Sequence, residues 1–180
     1  MRTHRPLSLV IRPLALTFTE KFNAEVARAL VDFEAITATP QKDGALLAAL
    51  WEPDLERAID HLQRVAGIAV RASELRINYV LGEPALEPVL EVKVTCPETF
   101  VGDVMTDLTR RRGVITGMDG ADGGKQVDAY VPLAELIGYV AHLRAITQGT
   151  GAASATFFDY QPVPPAPDGP GGPIANVMRA

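Results

Sequence analysis

Apolar residues fall along this chain in two rhythms, alternate positions in some stretches and every third or fourth position in others, and each rhythm predicts an element. Leu7-Ser-Leu-Val-Ile11 is an extended apolar run that Pro13 interrupts. A helix is predicted from Thr17: Thr17 is the expected N-cap, and Glu20 three residues later completes a capping box. Phe22, Val26, Leu30 and Phe33 then recur as one apolar stripe. Ile36 to Thr39 alternates as a strand, Gln41-Lys42-Asp43-Gly44 supplies a turn, and Ala45 to Trp51 returns as the other arm of a hairpin. A second helix from Pro53 aligns Leu55, Ile59, Leu62 and Ala66 and should stop at Gly67, because glycine accepts the left-handed backbone just past a helix end. Ile68 to Val70 resumes as a strand. Strand, helix, strand, strand, helix, strand is the split βαβ order.

The second half repeats the order without visibly repeating the residues. Val89, Glu91, Val92 and Val94 belong to a strand, and Pro97 opens a helix that carries Phe100, Val101, Val104, Met105 and Leu108 and ends at Gly113. Val114 to Gly117, the loop Met118 to Gly124 and Gln126 to Val131 read as a second hairpin. In the last helix Leu136, Val140 and Leu143 share a face, Gly149 terminates it, and Ala153 to Tyr160 closes the unit. The expected fold is therefore α+β, two tandem ferredoxin-like domains, each an antiparallel sheet with both helices on one face. The expected domains are residues 6–83 and 84–164, joined by the short linker Leu81 to Ala85. Residues 165–180 are expected to form a disordered tail, since so much proline and glycine cannot build a packed core.

Composition narrows the function. With 180 residues, 47% of them hydrophobic, the chain can bury substantial cores. Apolar runs such as Leu46 to Trp51 fall far short of the roughly 18 to 20 residues that span a bilayer, and Met1 to Pro6 lacks the apolar run of a secretory signal. No membrane role and a cytoplasmic location are the expectations. The lone Cys96 excludes an internal disulfide or a multi-cysteine zinc site and reads as structural. Net charge is −5; residues 1–83 carry 10 basic and 11 acidic side chains, and residues 84–180 carry 7 and 11. Contact with nucleic acid would thus have to be local, because no general surplus of cations faces phosphate.

Two longer stretches carry a resemblance. Leu86-Glu-Pro-Val-Leu-Glu-Val-Lys-Val94 followed by Pro97-Glu-Thr-Phe-Val-Gly-Asp-Val-Met-Thr-Asp-Leu-Thr-Arg-Arg-Arg-Gly113 resembles the start of domain V of elongation factor G. Val131 to Tyr139, Leu143-Arg144 and Thr147-Gln148-Gly149 resemble the second helix of that domain and the turn after it. Pro6 to Pro13, Glu52 to Leu62 and Ile77-Asn-Tyr79 are similar to domain III of the same family. The exit strand here runs through Gly82 into Pro84 and Leu86, so the resemblance implies a chain from which the intervening domain IV is excised and which is expected to lack the GTP-binding domain and domain II. The chain also departs from the family at Thr150, where arginine is common, and at Glu52-Pro-Asp-Leu-Glu-Arg57, which stands where the family has Gly-Glu-Leu-His-Leu-Glu.

Candidate chemistry is sparse. GTP binding needs a glycine-rich loop ending in Lys and Ser or Thr, and the only near miss, Gly123-Gly124-Lys125, is followed by Gln126 in a hairpin. His4, His61 and His142 lack partners at metal-like spacing and read as surface residues. Arg110, Arg111 and Arg112 close a helix, where cations offset the macrodipole, and Asp107 precedes Arg111 by four residues in the favourable order. The resemblance implies a second use for them: contact with ribosomal RNA of the large subunit, near the stalk base and the sarcin–ricin loop, together with Arg144, Thr147, Gln148 and Gly149. The expected function is a translation-related, ribosome-binding module without enzymatic activity, GTP binding, metal or cofactor. The alternatives are a module that binds a translation GTPase and a small-molecule regulatory domain.

Overall fold

The computed structural model describes residues 5–14, 18–121 and 123–164, and forms two antiparallel sheets with helices packed against them. The expected N-cap Thr17 and the tail 165–180 lie outside the described residues. In the first unit β1 (Leu7–Pro13), α1 (Thr19–Ala29), β2 (Thr37–Gln41), β3 (Gly44–Ala49), α2 (Glu52–Asp60), β4 (Val70–Ala72) and β5 (Arg76–Ile77) follow in turn. The sheet runs β2-β3-β1-β4, and β5 pairs with the other end of β1. Thus β4 and β5 act as one interrupted edge: at the break the Ser73 hydroxyl accepts a hydrogen bond from the Val10 amide, 2.9 Å, in place of a backbone carbonyl.

The second unit comprises β6 (Leu86–Cys96), α3 (Val101–Arg110), β7 (Val114–Ala121), β8 (Gly124–Pro132), α4 (Tyr139–Ile146) and β9 (Ala152–Pro162), with strand order β7-β8-β6-β9. Both units therefore have the ferredoxin-like arrangement, with the two middle strands deepest. Leu90, Val92, Val94 and Cys96 on β6 and Val127, Ala129 and Val131 on β8 point to one side, where Val104, Leu108, Tyr139 and Leu143 of the helices cover them. Leu7, Leu9 and Ile11 meet Phe22, Val26, Leu55 and Leu62 in the same way in the first unit.

Several expected elements differ. The strand expected over Ile68 to Val70 runs instead over Val70–Ala72, and the second helix passes from α2 into a wider π turn over His61–Val65. The helical stripe ending at Phe33 is shorter: α1 stops at Ala29, and Phe33 reaches the core from a turn whose amide bonds to the Leu30 carbonyl at 3.0 Å. Glycine content suggested a loop over Met118 to Gly124, but the ladder continues through Met118↔Val127 and Gly120↔Lys125 to Ala121↔Gly124, and a bulge between Ile115 and Gly117 re-aims the strand. Leu136 does not share a helix with Val140 and Leu143; it ends a 3-10 turn, Leu133–Leu136, and Gly138 at φ +71° redirects the chain before α4 begins.

One device recurs in both units. A Cβ on Gly44 would stand 2.1 Å from the Ile11 carbonyl oxygen, and a Cβ on Gly124 would stand 2.1 Å from that of Cys96. Each glycine begins the third strand of its unit against the end of the first, so the hairpin can pass the turn into the first helix only without a side chain there.

Candidate functional site

The arginines at the end of α3 divide by what their neighbours do with them. Arg111 donates from Nε to Asp107 Oδ2 at 2.9 Å and from Nη1 to the Glu135 carbonyl at 2.6 Å, while its guanidinium lies 5.1 Å from the Tyr139 ring centre. The helix pair predicted from spacing is formed. Arg112, with φ +58°, lies past the helix end, and Gly113 completes the turn by bonding to the Leu108 carbonyl at 2.8 Å. This bend turns the Arg112 side chain toward β6, where it grips Glu87 with two bonds of 2.7 and 2.9 Å and Glu135 with one of 2.9 Å. Glu87 is buried, so Arg112 neutralises a carboxylate that water barely reaches, and those bonds hold its own proton still more firmly than usual. The same carboxylate helps to push the Tyr79 hydroxyl up, after burial as the larger cause.

Arg110 and Arg144 are different. Both are exposed, and among the described residues neither forms an ion pair or side-chain hydrogen bond. Arg110 borders a groove of about 400 Å³ between α3 and α4, with Asp103, Asp107 and His142. His142 Nε2 stands 3.1 Å from Asp107 Oδ1, and the His61 ring packs 4.9 Å from that of Phe33, so both histidines have structural neighbours; His4 lies outside the described residues.

The turn after α4 is wired from within. Buried Thr147 donates from its hydroxyl to the Leu143 carbonyl at 2.6 Å and accepts from the Gly151 amide at 2.8 Å. Gln148 and Gly149 have φ of +54° and +84°, and the Gly149 amide bonds to the Arg144 carbonyl at 2.7 Å. Thr147 therefore shapes the turn, and Gln148 and Gly149 form its exposed tip.

Two features escaped the sequence reading. The Tyr130 and Phe158 rings stack 3.9 Å apart on the sheet face away from the helices, beside Val89, Val114 and Pro132. Their only signal was the two-residue period of β8 and β9, which cannot say that rings on strands separated by β6 will meet. The second is a cleft of about 430 Å³ between the units, lined by Trp51, Asp54 and Arg57 from one and Arg144 and Gly151 to Ala155 from the other. The departure from the family at Glu52 to Arg57 marked that segment without revealing its neighbour. Among the described residues no group of His, Cys, Asp or Glu is placed to hold a metal ion, and no helix is long and apolar enough to cross a membrane.

Residues 85–168 match the family described as elongation factor G C-terminus, so the second unit is a domain of that C-terminal type and the resemblance read from its residues holds. A crystal structure of a protein from Thermus thermophilus is similar across 92% of this chain at a TM-score of 0.63 and 20% identity, a likeness of fold that includes both units. The chain spans 42% of the length of that solved protein.

Proposed function

We propose that this chain is an elongation factor G-like module that binds the large ribosomal subunit and performs no chemistry itself. The observation that carries the reading is the family match over 85–168. Within that domain Arg111 and Arg112 are engaged internally, so ribosomal RNA phosphates are met by Arg110 and Arg144, with the tip Gln148-Gly149 after α4 and Thr147 holding its shape. Near the stalk base or the sarcin–ricin loop, such contacts position the module without reading sequence. The acidic balance of the chain, −5 overall, suits a local contact of this kind. Full-length protein is expected to pellet with purified large subunits at low salt and to be released steeply as salt rises. Failure to pellet at low salt removes the reading.

A second reading rests on the Tyr130–Phe158 stack, half-buried at Tyr130 and exposed at Phe158, and on the larger size of the similar solved protein. Aromatic surface of this kind favours a protein partner, here a translation GTPase supplied as a separate chain. Co-purification with such a GTPase in the absence of ribosomes, abolished by Phe158→Ser, is its test.

A further inference from the structure

The cleft between the units draws one arginine from each. Arg57 projects from α2 with its side chain 73% exposed and paired with Asp54, and Arg144 projects from α4 with no partner among the described residues. The opposite wall is the start of β9. That strand is at the edge of its sheet, and Ala152, Ala153, Ser154 and Ala155 carry side chains too short to keep a ligand's backbone away. Two planar guanidinium groups lining one cleft, with Asp54 the single carboxylate among its lining residues, favour one tetrahedral anion on an extended chain.

We infer that this cleft seats a backbone phosphate of ribosomal RNA between Arg57 and Arg144, so that the first unit contributes directly to the contact. The inference rests on the ribosome-binding reading above and adds to it a residue that the family resemblance does not supply, since Arg57 falls in the segment that departs from the family pattern. The geometry also requires the two units to stay together. The Glu52 carboxylate, at the start of α2, accepts a hydrogen bond from the Gly138 amide, just before α4, at 2.6 Å, and so ties together the two helices that carry the arginines.

The test uses the full chain and purified large subunits, with affinity measured over a range of salt concentrations. Arg57→Gln is expected to weaken binding about tenfold at low salt and to reduce the slope of log affinity against log salt by about 0.7 to 0.9, the loss of one phosphate contact. Arg144→Gln should do the same, and the double variant should lose less than the product of the two, because both arginines hold one group. Arg57→Lys should restore most of the slope, and Asp54→Asn, which frees Arg57, should tighten binding. If Arg57→Gln binds as the parent does while Arg144→Gln is weakened, the shared seat is wrong and the ribosome reading survives. If the parent chain does not bind at all, both fail. Weakening without a change in slope, or equal binding to ribosomal proteins freed of RNA, assigns the cleft to a protein partner and overturns the phosphate.

Discussion

Arg112 shows how a side chain that spacing offers for binding is taken over by its own fold. Its left-handed backbone, two residues past the end of α3, swings the guanidinium onto buried Glu87, whose carboxylate is 5% exposed against 35% for the arginine side chain. Removing the arginine leaves that charge uncompensated. Arg112→Ala is expected to cost about 2 kcal/mol in chemical denaturation, below the usual value for a fully buried pair because the arginine is partly solvated. Tyr139 makes the opposite case. Its hydroxyl is buried without a hydrogen-bond partner among the described residues, and burial pushes its ionisation well above the ordinary tyrosine range. Burial also pushes the Cys96 thiol up. Both groups fold in the neutral form, so the stability they permit is intact below their unfolded values, about 8.5 for cysteine and about 10 for tyrosine, and is lost as pH rises above each of them toward the raised folded value. Denaturation midpoints should therefore fall in alkali. Tyr139→Phe should match or exceed the parent at neutral pH and fall less above about pH 10.

The elements follow from local pattern where one face is buried and depart from it where backbone geometry takes over. The apolar spacing of Val104 and Leu108 or of Val127, Ala129 and Val131 was legible because a core face repeats at the period of its own element. The strand hidden in Met118 to Ala121 was not, since glycine and aspartate lower local strand preference while the ladder to β8 supplies the missing stabilisation from outside the segment. The paired glycines Gly44 and Gly124 give a sharp test. Gly124→Ala drives a Cβ into the Cys96 carbonyl and to 3.0 Å from Pro97 Cα, backbone atoms that cannot rotate away, and should destabilise by about 2 to 3 kcal/mol in a denaturant titration. Gly102→Ala, on the exposed face of α3 with nothing within 4 Å, should stabilise by up to about 1 kcal/mol.

Across the whole molecule, the two units are tied through a short connection and a few contacts. Val80 and Leu86 exchange backbone hydrogen bonds of 3.0 and 2.9 Å around the turn between them, and the Glu52–Gly138 bond joins the two units. Glu52→Ala should change global stability by less than about 1 kcal/mol, because water replaces the carboxylate at an exposed amide. Its effect should be seen in geometry: residual dipolar couplings of the two units should no longer fit one common orientation.

Periodicity and turn chemistry settled the element order, the α+β class and the resemblance in the second half, because each is written within a few neighbouring residues or one continuous stretch. The division of the arginines was beyond their reach. Arg112 is committed to Glu87, 25 positions away, and the link that sets Arg57 across from Arg144 joins residues 86 positions apart. Such pairings arise when sheets and helices pack, and packing energy depends on which surfaces meet in space, information that no local pattern along the chain contains.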